Sequence, residues 1–444
     1  MKKVQSFDVF DTLIARKCKE PTDLFDIIEK GIPCRHFKAL RIEAQRIASA
    51  KNGIYTNIDH IYDEYKALND IADTEMLKKA ELDYEYEYSI PIVANIKKIK
   101  PGDIYISDMY LKKDQIYKLL SKHNINTENT LYVTNGGKSN GTIYEELNRT
   151  YHISLHTGDN LHSDIEMAQK HRINTCHTTL TEYSDTENIL YNMKLIELQR
   201  SIREFRLRNP YTEKSKEFDI YNEQAKFNIP LLVLFCIQIN EIMIKENRTK
   251  ILFFTRDCCL LIRMFTKFFP QYTSVYFSAS RHIHNNPSPG YKEYVKSHYN
   301  LKCLIVDLHG AFLSGRALYW ELFGDIPRVH FLIHSMPTAF CPRITACVFP
   351  TDPNLNYDYI EALNYDKQGT LFGMVEGKEL RIYNENDMTS IEVVHTTFME
   401  YLESIDYSIY TIKANIPSVV TQIVSLLRKD IRYYMESPLN QPVL

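Results

Sequence analysis

The sequence predicts an α/β protein built from two parallel-sheet domains, and three observations predict it. Short apolar runs that read as strands are followed by stretches with apolar residues three to four apart, and such alternation indicates parallel sheets. The alternation occurs twice, on either side of the charged stretch "RSIREFRLRNPYTEKSKEF" with its Pro210. Several of the strand-like runs end on a carboxylate or a hydroxyl, where open α/β sheets build ligand sites.

At 444 residues the chain is long enough for two or three domains. Its 44% hydrophobic and 25% charged residues are those of an ordinary globular protein and exclude wholesale disorder. A formal net charge of −3 gives no reason to expect nucleic acid or an anionic membrane as partner. The nine cysteines form no CxxC pair, which predicts reduced thiols in a cytosolic chain. Asp8 interrupts the N-terminus before the apolar core of a signal peptide can form. The longest apolar run, "IPLLVLFCIQI" at 229–239, is about half of the ~20 residues a membrane span needs, so a buried helix is expected there.

The elements follow in order. "KKVQSFDVF" reads as a first strand. Helical patterns then occupy about 16–100: "PTDLFDIIEKG" opens with Pro21 and Thr22, charges its first turn with acids and stops at Gly31. Strands return at "GDIYISD", "TLYVTN" and "SLHTGD", which closes a first domain over 1–195 with a helical insertion. Residues 196–228 read as a charged helical linker. The second domain, 229–444, carries strands at "KILFFTRD", "SVYFSASR" and "KCLIVDLHG". Its tail from about 390 is helical, with "EVVHTTFMEYLESI" and "IPSVVTQIVSLLRKDIRYYM" amphipathic.

Four pieces of the first domain carry chemistry. In "FDVFDTL", Asp8 at a strand end is placed to attack phosphorus, and Thr12 with the amides beyond it to grip phosphate oxygens. In "IYISDMY", the Ser107 hydroxyl and its neighbour Asp108 stand at the next strand end. In "NGGKSNGTIY", Lys138 offers a cation able to neutralise nucleophile and phosphate together. In "HTGDNLHSDIEMA", Asp159 and Asp164 flank a strand-to-helix turn and suit Mg²⁺, which takes carboxylates together with phosphate and water. Singly each has an ordinary explanation as a turn, a helix cap or a solvated lysine; the weight lies in their order.

These four pieces, in this order, resemble the haloacid dehalogenase superfamily over roughly residues 1–180. The resemblance implies a Rossmann-like parallel sheet with an inserted helical cap. It makes Asp8 the nucleophile, Ser107 the phosphate-binding hydroxyl and Lys138 the third-motif lysine. Asp159 and Asp164 would be the Mg²⁺ acids, joined by Asp8 and the backbone carbonyl of Phe10. It also implies a small phosphorylated substrate. The opening "SFDVFDTLIAR" and "ISDMYL" further resemble hydrolases found with bacterial surface-polysaccharide genes, which points toward a sugar-pathway intermediate.

One departure stands at the centre of this resemblance. The family's phosphatases place an acid/base aspartate two residues after the nucleophile, and here that position is Phe10, with Asp11 following where glycine is common. On an extended strand Asp11 faces the other way. Three readings follow: a phosphohydrolase that draws its proton from Asp11 or a cap residue, or acts on a good leaving group that needs none; a catalytically weak or inactive scaffold whose second domain binds or transfers a nucleotide- or sugar-linked group; and a dehalogenase, which the retained acidic pair disfavours. Within the insertion, Arg16 and Arg41 read as solvated arginines.

The second domain offers Arg256 and Asp257 after one strand, Ser280, Arg281, His282 and His284 after another, and Asp307 after a third. Arg256, Asp257, Arg281 and Asp307 form a candidate second site. The two histidines lack a carboxylate partner in sequence and read as surface.

Overall fold

The computed structural model describes residues 1–70, 72–336, 341–349, 352, 355–356, 359–382, 388–406 and 414–427. The chain divides into two compact units: Met1–Tyr183 with Arg203–Pro210, and Ser184–Ile202 with Tyr211–Leu444.

The first unit contains β1 (Lys2–Asp8), β2 (Ile14–Arg16), β3 (Ser89–Pro91), β4 (Ile104–Asp108), β5 (Thr130–Thr134), β6 (Tyr151–Gly158) and β7 (Thr175–His177). Five of them form a sheet in the order β5-β4-β1-β6-β7, with every neighbouring pair parallel. The chain starts in the middle, builds outward through β4 and β5, then returns to the other side of β1. The reversal falls between β1 and β6, and crevices at such points are where open sheets bind ligands. Both faces of the central strands are covered, so Ile104 to Ser107 of β4 are buried without alternation.

The helical insertion begins and ends on a small ribbon, β2 paired antiparallel with β3 through Ala15 and Ile90. Between them run helices Asp23–Gly31, Phe37–Asn52, Ile58–Leu68 and Thr74–Tyr88. Asn57 and Asp73 cap the last two by accepting amide bonds from the first turn. The interior corrects the reading of Arg16 and Arg41 as solvated. Arg41 is fully buried and donates from Nε and Nη2 to Glu81, both at 2.7 Å, while Tyr62 donates to the same carboxylate at 2.9 Å. Arg16 forks onto Glu85 at 2.8–3.1 Å. Glu81 and Glu85 lie four residues apart, on the inward face of one helix, and draw both guanidinium groups inside.

The second unit contains β8 (Lys250–Phe254), β9 (Thr273–Phe277), β10 (Cys303–Gly310), β11 (Val329–His334), β12 (Ile344–Val348) and the hairpin β13 (Thr370–Val375) with β14 (Lys378–Ile382). The main sheet runs β12-β11-β10-β8-β9 and is again wholly parallel. Here the reversal falls between β8 and β10. The apolar run at 229–239 belongs to a helix spanning Lys216–Lys245; by length and composition it is able to cross a membrane, but 72% of its most apolar window is buried in this unit. That is the behaviour of a core helix. Tail helices Met388–Ser404 and Ile416–Val424 stand where helical periodicity places them, and the rest of the last amphipathic stretch lies outside the described residues.

Candidate functional site

β1 delivers Asp8 to the C-terminal edge of the first sheet, and the chain then folds back tightly. Leu13 and Ile14 donate their amides to Val9 O at 2.9 and 3.0 Å, and Asp11 donates to Ile14 O at 2.7 Å. Asp11 occupies the left-handed region, with φ 57°, a conformation aspartate tolerates better than most residues. The turn settles the question raised by the spacing of Asp8 and Asp11. Phe10 stacks with the Arg16 guanidinium, 4.8 Å from its ring centroid. Burial raises Asp159 to about 6, with the charges of Asp11 and then Asp164 adding to it against Lys138.

Three carboxylates and one ammonium converge beyond that turn. Lys138, 4% exposed at its side chain, pairs with Asp8 Oδ1 and donates to Asp164 Oδ1 at 2.7 Å. Ligand oxygens of Asp8, Asp159 and Asp164 all lie within 4.8 Å of one another. Burial pushes Asp8 well above the usual carboxylate range, against the pull of Lys138. Asp164 goes the other way: burial would raise it, but Lys138 and His156 outweigh burial and hold it low. Burial alone would lower Lys138, and its two carboxylate partners instead raise it.

The lysine is placed by Asp108, whose two oxygens accept the Lys138 amide at 3.1 Å each and the Ser139 amide at 3.3 Å. Asp108 therefore fixes the loop that carries Lys138. Thr12, fully buried, donates its hydroxyl to Asp159 Oδ1 at 3.4 Å. Asp164 folds back over Gly158, where an added Cβ would stand 2.4 Å from the Asp164 side chain, so only glycine fits.

A second layer holds Asp164. His156, fully buried on β6, stands 3.2 Å from Asp164 Oδ1 through Nε2 and 2.8 Å from Ser6 Oγ through Nδ1. Tyr144 spends its hydroxyl proton on Ser163 O at 2.9 Å and so accepts from His156 Nε2 at 3.1 Å. These partners assign the proton to Nε2 and make Nδ1 the acceptor for Ser6. Burial keeps the ring neutral by lowering its pKa. Sequence reasoning missed Ser6, Tyr144 and His156. The available signal was period two along β1 and β6, which turns Ser6 and His156 toward the same interior as Asp8 and Gly158.

Two features show what the site fits. Three carboxylates against one ammonium leave two negative charges without a cation in a buried place, a strongly unfavourable balance that a divalent oxygen-seeking ion would correct. Ser107 Oγ, at the end of β4, is buried with no hydrogen-bond partner among the described residues. A hydroxyl left so calls for an acceptor. The donor set therefore suits a metal ion together with an oxyanion.

In the second unit, Arg256, Asp257 and Asp307 gather at the C-terminal edge of β8 and β10, joined by two residues that no motif had marked, His309 and Glu361. Arg281 is exposed at the end of β9. His282 is exposed and stacks on Phe372, whereas His284 is buried among Phe254, Tyr291 and Phe312, which corrects its reading as surface. Comparison with protein-family models and with curated proteins returns no match for this chain.

Proposed function

We propose that the first unit is a Mg²⁺-dependent phosphohydrolase of the haloacid dehalogenase type, acting on a small phosphorylated metabolite through an aspartyl-phosphate. The observation that carries the reading is the convergence of Asp8, Asp159, Asp164 and Lys138 beside the unpartnered Ser107 hydroxyl. Asp8, Asp159, Asp164 and the Phe10 carbonyl would hold the cation, which when bound supplies charge neutralisation to the transferring phosphoryl group.

The chain's own groups divide the remaining work. Lys138 engages Asp8 Oδ1, which leaves Oδ2 to attack phosphorus, and the same ammonium offsets charge on the phosphoryl oxygens. Ser107 donates to one of those oxygens. The bond from phosphorus to the leaving oxygen breaks as the Asp8 ester forms; water then attacks phosphorus, releasing phosphate and restoring the Asp8 carboxylate. Phe10 has no proton to give, so the leaving oxygen takes one from Asp11, which the left-handed turn has brought beside Asp159. Helices 23–88 close over the strand ends as a cap that limits the substrate to small esters.

The test is hydrolysis of a panel of small phosphate esters with and without Mg²⁺, on wild type, Asp8→Asn and Asp11→Asn. Mg²⁺-dependent turnover that disappears in Asp8→Asn is expected. Asp11→Asn should lose roughly 10²-fold or more on alkyl phosphates and little on aryl phosphates, whose leaving groups need no proton. Equal rates in wild type and Asp8→Asn on every ester would instead favour the inactive scaffold, the reading that Phe10 supports.

A further inference from the structure

We propose that the second unit carries a separate binding site for a phosphorylated sugar, at the point where its sheet reverses between β8 and β10. Its hydroxyls would meet Asp307 and Asp257, and its phosphate Arg281.

The argument begins with which charges are already matched. Arg256 donates from Nε to Asp257 Oδ1 at 2.8 Å and from Nη2 to Glu361 Oε2 at 3.0 Å. His309 Nδ1 meets the other Glu361 oxygen at 3.0 Å. Glu361 is thereby satisfied twice; burial would raise it, but His309 and Arg256 keep it low. Asp307 and Arg281 are not matched. Among the described residues no cation pairs with Asp307, whose Oδ1 accepts the adjacent Leu308 amide at 2.9 Å and stands 3.9 Å from Cys258 Sγ. Burial pushes Asp307 well above the carboxylate range, and the nearby Asp257 and Glu361 charges push it further. Arg281 is exposed, and its charge reaches Glu361 without forming an ion pair.

A carboxyl and a guanidinium, neither in an ion pair among the described residues, thus stand on opposite sides of β8. Asp307 is on β10 and Arg281 follows β9, each strand adjacent to β8. Two strand spacings separate them, about 10 Å between axes. A ligand joining them needs hydrogen-bond donors at one end, an anion at the other and several ångströms between. Asp257, which follows β8, and Asp307, on the adjacent β10 and near enough to feel the Asp257 charge, offer two neighbouring carboxyl groups, which match a pair of vicinal hydroxyls better than one ammonium. Among the described residues the acidic groups at this site form no three-ligand cluster of the kind found in the first unit, and hydroxyl donors suit them better than a bare ion. Arg256 is held with φ 81°, a strained conformation of the sort that collects at ligand sites. Gathering five ionisable groups at one sheet edge, Asp257 and Glu361 buried and Arg256, Asp307 and His309 partly so, does little for stability and suits recognition.

The experiment is isothermal titration of the full chain carrying Asp8→Asn, in chelator, so that the first unit neither turns over ligand nor holds it through a metal. The probes are ribose 5-phosphate, AMP, ribose, inorganic phosphate and 6-aminohexanoate. Ribose 5-phosphate should bind once per chain with Kd below about 1 mM. Arg281→Ala, at an exposed position, and Asp307→Asn, which removes only charge, should each weaken binding about tenfold or more. Ribose and inorganic phosphate alone should bind at least about tenfold more weakly than the whole. Tighter binding of AMP would name a nucleotide as the source of the sugar phosphate, and equal or weaker binding the free sugar phosphate. The proposal is overturned if neither phosphorylated sugar binds at about 10 mM, or if both substitutions leave the affinity unchanged. Preference for 6-aminohexanoate would overturn it too, because the carboxylates would then be reading an ammonium. None of these outcomes depends on phosphate-ester hydrolysis by the first unit.

Discussion

The two units use one architectural device and fill it differently. Each has five parallel strands with the first in an interior position, and each places a cation among carboxylates where the strand order reverses. In the first, a compact ammonium arrives from the loop after β5 and meets Asp8 and Asp164, while Asp159 is left over. In the second, Arg256 follows β8 itself and spreads its planar fork over Asp257 and Glu361. A point charge lets carboxylates crowd to within ion-binding distance, whereas a fork holds them apart in fixed directions. The topology prepares a place at the sheet edge; the cation chosen decides whether that place is shaped for a metal ion or for hydrogen-bonded groups.

Removing each cation tests this contrast most severely. Lys138→Met leaves buried Asp8 and Asp164 without their cation, Asp164 keeping only its bonds from His156 and the Asn160 amide, and should destabilise the first unit by roughly 3–5 kcal/mol. Arg256→Met leaves Glu361 still bonded to His309, and Asp257, which loses its partner, already stands near 6 and can take up a proton, so a smaller loss, about 1–3 kcal/mol, is expected in the second. Urea unfolding followed separately for the two units measures both. Added Mg²⁺ should recover much of the Lys138→Met loss and none of the Arg256→Met loss. Equal losses with no effect of Mg²⁺ would mean that the two clusters are the same kind of structural network.

The contrast also explains what was legible in the sequence. Strands ending in Asp8, Ser107, Asp159, Asp257 and Asp307 were readable because apolar runs stop abruptly at polar residues on a parallel-sheet edge. β11, with "VHFLIH", and β12, with "ITACV", were not read, being short runs without a marked polar end. The chemistry of the first unit lay in four local motifs. That of the second depends on Glu361, which comes from the short helix Tyr359–Ala362, 52 residues beyond His309, and no local pattern pairs them. Phe10 and Asp11 show the same limit at close range. Strand alternation does not reach them, because β1 ends at Asp8 and Asp11 is left-handed; the turn that puts Asp11 within electrostatic reach of Asp159 exists only once Ile14 has folded back onto Val9.

Acidity separates the units by a further step. Asp257 is raised to about 6, by burial first and by Glu361 second, against Arg256 and His309, with Asp307 alongside and raised as well. A carboxyl raised in the folded state keeps its proton where the unfolded chain has lost it. Its contribution to stability is therefore complete below about pH 4 and lost as pH climbs through about 6, a fall of roughly 2–3 kcal/mol. Asp257→Asn mimics the protonated form, so it should shrink that fall and leave the second unit more stable than wild type at neutral pH. Asp307 would carry the slope that remains, and Asp257→Asn with Asp307→Asn should flatten it. Urea midpoints at pH 4, 5, 6 and 7 decide; an unchanged slope in the double variant would place the titration elsewhere.

The smallest effect concerns how firmly the first cluster is held by the Ser6–His156–Asp164 chain. His156 is neutral, with its proton on Nε2, and the bond it gives Asp164 fixes that carboxylate's direction. Partners of this kind behind metal-binding carboxylates typically change metal affinity by 10–100-fold. His156→Leu should weaken Mn²⁺ binding, read by electron paramagnetic resonance on the whole chain, about tenfold. His156→Gln keeps an N–H for Asp164 and should recover most of the loss, which a purely space-filling role would not predict. Ser6→Ala removes only the bond that sets the ring's tautomer, and threefold or so is expected. If His156→Leu binds Mn²⁺ as wild type does, Lys138 and the Asn160 amide, which donates to Asp164 Oδ2 at 3.1 Å, already orient the carboxylate without help. The ordering of the first cluster would then come from its loops, as it does in the second unit, and not from the interior of the sheet.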